Sequence, residues 1–352
     1  MSKSKLTLLI DGNWLLMSRL SVIANQYTDD YELSHQLQLL LIRSIKLVLK
    51  HFPNIDNIIF VADGGSWRNN EEIPDYLVDD DGNKIEYKGN RERSEDINWD
   101  VIFGAYEELI SLLQQNNINA YREKYIEGDD WIYYWSTLLN SEGTNCIIWS
   151  KDNDLKQLVN IDQNKCFTMW WNKDNGFCCP EFDDNNLNYL FNYSYNENDE
   201  IFRTVIKNEQ YKKINKKEII LNKILKGDAG DNILPVILRK PKAEKSSKKY
   251  KISEKDINYD LDIHNLNEVK SYIHDIINKK NYKDRLYHTE EEIYDHFLYN
   301  RKMIVLEDAS YPQYVKDILD KYKDYNINKD ISPVENYLIA ASNKLNGIID
   351  LI

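Results

Sequence analysis

The sequence has little cysteine, histidine, proline or glycine, no long apolar run and no excess of positive charge. Its four cysteines, Cys146, Cys166, Cys178 and Cys179, form no C-x-x-C pair. They are too sparse for a disulfide framework or a cysteine zinc site, and they suit a reducing compartment. The six histidines are scattered without ligand spacing, which removes the usual zinc donor sets. The stretch from Met1 to Leu8 reaches Asp11 after a short apolar run, too brief for a signal peptide or a membrane span. A cytoplasmic protein with no membrane partner is therefore expected. There is no G-x-S-x-G elbow, no G-x-x-x-x-G-K-[ST] loop and no H-E-x-x-H, so three common routes to hydrolysis have no support.

What is present is a folding composition with an uneven charge. Hydrophobic residues make up 42% of the 352 residues and charged residues 29%, the balance of a chain that buries a core. Length and domain-size statistics favour two domains. The net charge of −13 is unusual for a partner of nucleic acid, because phosphate binding uses a basic surface. The distribution matters more than the sum. Between Lys207 and Lys251 there are 14 Lys and Arg against 5 Asp and Glu, a local +9 that leaves −22 for the rest of the chain. One basic segment accompanies an acidic body, and charge alone fits a solvated lysine-rich surface equally well.

Three short β-branched apolar runs each end in acid: Leu6 to Ile10 before Asp11, Asn57 to Ala62 before Asp63, and Asn145 to Trp149 before Ser150, Lys151 and Asp152. Helical periodicity fills the intervals. Leu37, Leu40, Leu41, Ile45 and Val48 share one face of a helix expected over Leu33 to Phe52, and Asp100 to Gln115 and Asp129 to Leu139 read the same way. Strands alternating with helices predict a parallel α/β sheet, whose functional groups lie beyond the carboxyl ends of the strands. From about Asp183 the pattern changes to helices rich in Lys, Asn and Tyr, so a boundary is expected near Pro180. Pro241 to Ser253 has the composition of an irregular loop, and Asn265 to Asn300 and Tyr311 to Leu345 are helical by period. The aromatic pairs Trp131 with Trp135, and Trp170 with Trp171, suit core packing better than stacking platforms.

A single aspartate after a strand commonly caps the next helix. Glu127, Asp129 and Asp130 in E-G-D-D, beside Asp152 and Asp154 after another strand, are more than capping requires. So many carboxylates at one sheet edge repel one another unless cations neutralise them. Oxygen donors favour hard ions, so Mg2+ or Mn2+ is expected rather than zinc. Two such ions about 4 Å apart suit phosphodiester hydrolysis.

These segments resemble the structure-specific 5′ nucleases, the family of flap endonucleases and bacteriophage 5′ exonucleases. The resemblance runs in family order through Asp11 in LLIDGN, Asp63 in IIFVADGG, Glu127 to Asp130, and Asp152 and Asp154 in SKDNDL. It continues to Asp228 and Asp231 in LKGDAGDNI, similar to a G-D-x-x-D-N segment whose aspartates ligate metal. The helical C-terminal region resembles that of the ribonucleases H of T-even bacteriophages. The resemblance implies a PIN-like α/β nuclease domain over residues 1–180 with a central parallel sheet and an arch or bridge near 84–100. A mostly helical, duplex-binding region over 181–352 follows, with a modified helix-three-turn-helix element. By the same similarity Lys88 and Arg91 of YKGNR contact the scissile phosphate, Tyr87 stacks on a terminal base, and Arg93 assists. The family's hairpin glycines are replaced here by Leu234 to Lys240, which puts its potassium site in doubt. Arg239, Lys240, Lys242, Lys248 and Lys249 are candidates for direct phosphate contact in their place.

The implied activity is metal-dependent cleavage near 5′ ends of branched or nicked DNA and of RNA–DNA duplexes, with RNA primer removal in phage replication as its setting. Two or more Mg2+ ions serve as cofactors, with Mn2+ able to substitute, and a monomer is expected. Single-stranded DNA-binding protein or a polymerase clamp are partners that the resemblance suggests. The rival readings are a PIN-type ribonuclease, which leaves the LKGDAGDNI segment unexplained, and a catalytically silent binder of DNA structures.

Overall fold

The computed structural model describes residues 5–79, 81–159, 166–172, 176–178, 215–240, 250–279, 282–283 and 285–349. Its contacts divide the chain into two units. One comprises Met1–Ser66, Ser94–Ile214 and Asp317–Ile352, and the other Trp67–Arg93 and Asn215–Lys316. The boundary expected near Pro180 lies outside the described residues. The division is an interleaving rather than one cut, because the C-terminal segment packs with the sheet.

The first unit is built on a six-stranded sheet of order β3-β2-β1-β4-β5-β6. Its strands are β1 (Leu6–Asp11), β2 (Asn57–Val61), β3 (Asn119–Tyr121), β4 (Asn145–Trp149), β5 (Cys166–Asn172) and β6 (Gly176–Cys178). β1 to β5 pair in parallel and β6 joins β5 antiparallel. Leu8, Leu9 and Ile10 of β1 are fully buried, as a strand covered on both faces requires. Each such side chain contributes roughly 1.5–3 kcal/mol of burial free energy. β3, β5 and β6 carry too short or too mixed a pattern to stand out in the sequence.

Helices α1 (Gly12–Ile23), α2 (Asp30–His51) and α3 (Trp99–Gln115) share one core with the sheet. α2 shows why it forms where the periodicity placed it. Asp29 caps it by accepting from the Glu32 N–H at 2.8 Å, acids sit in its first turn and Lys50 and His51 in its last, matching the helix dipole. Leu33, Leu37, Leu41, Ile45 and Val48 are buried along one stripe. α4 (Gly128–Ser141) packs on β1 and β4. Its Trp131 and Trp135 are fully buried and stack on Tyr121 at 5.3 and 5.0 Å. Trp170 is buried as well, whereas the side chain of Trp171 lies outside the described residues. Tyr322 and Tyr325 meet the same rings edge-on, and a last helix, Ser332–Ile349, docks on α2 through Glu335 to Lys46 and Leu338 to His35. These contacts tie the C-terminus to the sheet unit.

The second unit centres on the helices α5 (Lys216–Lys226), α6 (Leu266–Ile277) and α7 (Glu290–Ile304). Leu221, Ile224, Val269, Ile273, Ile293 and Phe297 form its core. The helical stretches read from the sequence are interrupted, since 278–289 holds no helix among its described residues. α5 stops at Gly227, whose φ of +72° suits glycine, and a Cβ there would lie 2.3 Å from the Ile233 carbonyl oxygen. Buried Asn300 fastens the following loop by donating to the Ile224 and Leu234 carbonyls at 2.9 and 2.8 Å. Within the segment expected to be an irregular loop, Tyr250 and Lys251 pair as a strand with Leu238 and Arg239. No described helix is long and apolar enough to cross a membrane.

Candidate metal centre

The order of strands places the acids before any side chain is considered. The chain order reverses across β1, which lies between β2 and β4, and in such a sheet the crevice beyond the carboxyl ends of the strands is the natural site. Asp11 ends β1, Asp63 follows β2 by two residues, and Asp152 follows β4 by three.

Asp11 is the most confined of them. It is 6% exposed, accepts from the Trp14 N–H at 2.9 Å as the cap of α1, and accepts from the Ser150 hydroxyl at 2.8 Å. Its carboxyl pKa is pushed up to about 7, first by burial and then by the charges of Asp63 and Asp152, against the lowering effect of the Trp14 and Ser150 hydrogen bonds. A cation binding to a group so shifted displaces its proton to solvent.

Asp63 is held by the start of α4. The Gly128 N–H donates to Asp63 Oδ1 at 2.6 Å, and a Cβ on Gly128 would lie 3.1 Å from Asp63 Oδ1 and 3.7 Å from Asp11 Oδ1. Gly128 thus lets the helix N-terminus approach both carboxylates. Asn13 accepts from the Asp63 N–H at 3.0 Å and from the Tyr106 hydroxyl at 3.2 Å. Burial and the charges of Asp63 and Asp11 keep the Tyr106 phenol protonated far above its usual range. Arg122 donates to the Asp63 carbonyl at 2.9 Å and pairs with Glu107 at 2.6 Å.

The E-G-D-D acids divide by role. Glu127 is buried and accepts from the Ser66 hydroxyl at 2.7 Å. Asp130 is fully buried, and its carboxylate accepts from the Glu127 N–H at 3.1 Å, closing a capping box for α4. Capping accounts for that member of the set. Asp129 is half-buried. Asp152 is exposed; its N–H donates to Ser150 Oγ at 3.0 Å and its Oδ1 accepts from the Asp154 N–H at 2.8 Å. Ser150 therefore links Asp11 to the Asp152 turn.

The remaining acids belong to the second unit, and there each is paired with a cation. Asp228 bonds Lys223 at 2.6 Å and the Gly230 N–H at 2.9 Å. Burial alone would raise its pKa, but Lys223 and the backbone donors outweigh burial and hold it below the usual carboxylate range. Asp231 accepts from Arg91 at 2.6 Å and from the Tyr87 hydroxyl at 3.1 Å.

The basic and aromatic candidates fare unevenly. Lys88, with φ +55°, is half-buried and lies 4.9 Å from the Tyr87 ring centroid; Arg91 and Arg93 are exposed. Tyr87, expected to stack on a base, faces the interior of the helical unit. It is 9% exposed and part of the helical unit's core, because its apolar ring packs there while its hydroxyl finds Asp231. No helix runs through 84–98; α3 begins at Trp99. Arg239 donates to the Lys251 carbonyl at 2.9 Å and lies 4.5 Å from the Tyr282 ring centroid, a structural engagement, while Lys240 is exposed. Lys242, Lys248 and Lys249 lie outside the described residues.

Sequence reasoning missed the groups that orient the acids. Asn13 and Ser150 lie inside the LLIDGN and SKDNDL segments, and a donor beside each aspartate was the available signal. Tyr106, from the middle of α3, had none.

No protein-family model matches the sequence, and no curated protein matches it. Solved structures do match in fold. The bacteriophage T5 D15 protein co-crystallised with metal ions is 17% identical over 91% of this chain and 97% of its own, with a TM-score of 0.54. The T5 D15 flap endonuclease in a pseudo-enzyme-product complex with DNA and metal ions is 16% identical over 94% and 100%, with a TM-score of 0.52. The T5 5′-exonuclease with bound zinc ions is 17% identical over 91% and 97%, also with a TM-score of 0.52. The chain therefore has the fold of these proteins along nearly its whole length.

Proposed function

We propose that the chain is a divalent-metal-dependent 5′ nuclease that hydrolyses phosphodiester bonds at or near the 5′ ends of DNA. The observation that carries this reading is the burial of Asp11 beside Asp63 and Asp152 at the sheet edge, where burial first and then the two neighbouring charges push its carboxyl up to about 7. Without a cation that arrangement costs free energy, and hard oxygen donors select a hard ion. Mg2+ is the proposed ion, with Mn2+ able to replace it. When bound, it would lower the cost of forming the attacking hydroxide and of the charge on the leaving oxygen.

The chain's own groups supply the rest. Asp11, Asp63, Glu127, Asp129, Asp152 and Asp154 provide the donor set, with Asn13, Ser150 and the Gly128 N–H fixing the orientation of the first two. Lys88 and Arg91 stabilise charge on the phosphate. The ligand role of Asp228 and Asp231 rests on resemblance, since each already has a cationic partner. The T5 flap endonuclease complexed with DNA and metal ions supports DNA as the substrate. RNA–DNA duplexes, and primer removal during viral replication, are the finer part of the proposal.

The test is cleavage of a 5′-labelled flap duplex and of an RNA–DNA hybrid, with magnesium and with chelator. Short 5′ products that require the ion are expected, and their ratio ranks the substrates. Tight flap binding without any cleavage would replace this reading with that of a silent DNA-structure binder.

A further inference from the structure

The carboxyl edge of the sheet unit is acidic at its middle, yet on the β3 side it carries an arginine whose position is fixed in detail. Arg122 follows β3 directly, and the pairing of β3 with β2 sets it level with Ala62 and beside Asp63. Its backbone has little freedom there. The Ala62 N–H donates to the Tyr121 carbonyl and the Gly64 N–H to the Ile126 carbonyl, both at 2.9 Å. A Cβ on Gly64 would lie 1.9 Å from the Glu123 carbonyl oxygen, so glycine is what lets the 122–126 segment lie against the backbone after Asp63.

The side chain is held as well. Arg122 Nε donates to the Asp63 carbonyl at 2.9 Å and Nη1 to Glu107 Oε1 at 2.6 Å. Those bonds use two of the five guanidinium donors, and the side chain is 35% exposed. The pair with Glu107 lies in solvent and is weak as a Coulomb interaction. Its effect is to orient the fork. The Tyr106 phenol feels the charge of Arg122 together with those of Asp63 and Asp11, so the cation is within electrostatic reach of the metal centre. The Asp63 carboxylate, in contrast, is engaged with the N-terminus of α4 through Gly128. Arg122 is therefore tethered beside the acids through the main chain, and a pre-oriented guanidinium is the side chain best matched to a phosphate.

We propose, resting on the nuclease reading, that Arg122 binds a non-scissile phosphate of the nucleic-acid strand where it crosses the β3 side of the metal centre.

The experiment compares the unaltered full chain with Arg122→Gln, Arg122→Lys and Lys50→Gln. Lys50 is exposed in the last turn of α2, which leads into the amino end of β2, and it controls for the loss of one charge. Binding of a 5′-flap duplex is followed by fluorescence anisotropy at one Ca2+ concentration and rising KCl, and kcat and KM are measured in Mg2+. Arg122→Gln should weaken binding roughly tenfold and flatten the slope of log K against log[KCl] by about 0.7 to 0.9. KM should rise in proportion while kcat stays within about threefold. Arg122→Lys should keep the slope and lose part of the affinity, since the charge remains and the fork does not. Lys50→Gln should change neither. An unchanged slope in Arg122→Gln overturns the contact, as does an equal loss of slope in Lys50→Gln. A fall in kcat at constant KM overturns it too, by making Arg122 a support for Asp63. If the unaltered chain binds the duplex but cuts nothing in Mg2+, the nuclease reading falls and the contact is judged on the slope alone.

Discussion

Asp11 is buried and Asp228 half-buried, both in glycine-containing segments, yet the protein treats them in opposite ways. At the sheet edge burial first, and then the charges of Asp63 and Asp152, push the Asp11 carboxyl up to about 7. On the loop of the helical unit, Lys223 and backbone N–H groups surround Asp228 and hold it below the usual range. The first arrangement is incomplete without a cation, whereas the second supplies its own.

The sharpest way to break this contrast is Asp11→Asn. Cleavage should fall by at least about 10³-fold, since the buried donor of the ion is lost. The metal-free protein should become more stable at pH 8, by about 2 kcal/mol, because a buried repelled charge is gone. Kinetics and urea unfolding on one preparation check both halves, and a destabilised variant would argue that Asp11 is structural.

The next effect is in pH. Asp11 keeps its proton to about 7 when folded but releases it near 3.8 when unfolded. Between those values the folded state binds more protons, so stability contributed by this group falls as pH rises and is lowest above 7. From pH 5 to pH 8 the loss is about 3 kcal/mol as an upper bound. Magnesium should flatten it, which unfolding curves with ion and with chelator would reveal.

Asp228 runs the other way. Its folded pKa is lowered, so its contribution is present above about pH 4 and is lost as pH falls through the folded value. Lys223→Met should cost about 2 kcal/mol at pH 7 by leaving a half-buried carboxylate without its partner. That cost should shrink near pH 3, as an acid titration of stability can show.

Gly128→Ala should give the smallest change, under about 1 kcal/mol in stability, since alanine suits a helix and the added carbon needs a small shift of Asp63. A several-fold drop in cleavage without loss of stability would show that the close approach serves the site rather than the fold.

How much of this could be read in advance follows from how local each feature is. α2 and β4 were legible because periodicity, caps and β-branched runs lie within one segment, and the sheet-edge aspartates followed because a strand's end is also local. β3, three residues long, and α1, whose polar and apolar residues are mixed around its circumference, carried too little pattern. In the site, E-G-D-D read as a group of acids, but only the fold distinguished Asp130, spent on capping, from Asp63, held against a helix N-terminus.

The sequence by itself determined that acids would gather at one edge of a parallel sheet, because chain order and strand ends dictate it. Only the tertiary structure decided which of them would be buried side by side, that Ser150 would hold Asp11 across 139 residues, and that the Tyr87 hydroxyl would meet Asp231. Those outcomes depend on burial and on donors brought from distant segments, and neither is encoded in the spacing of neighbouring residues.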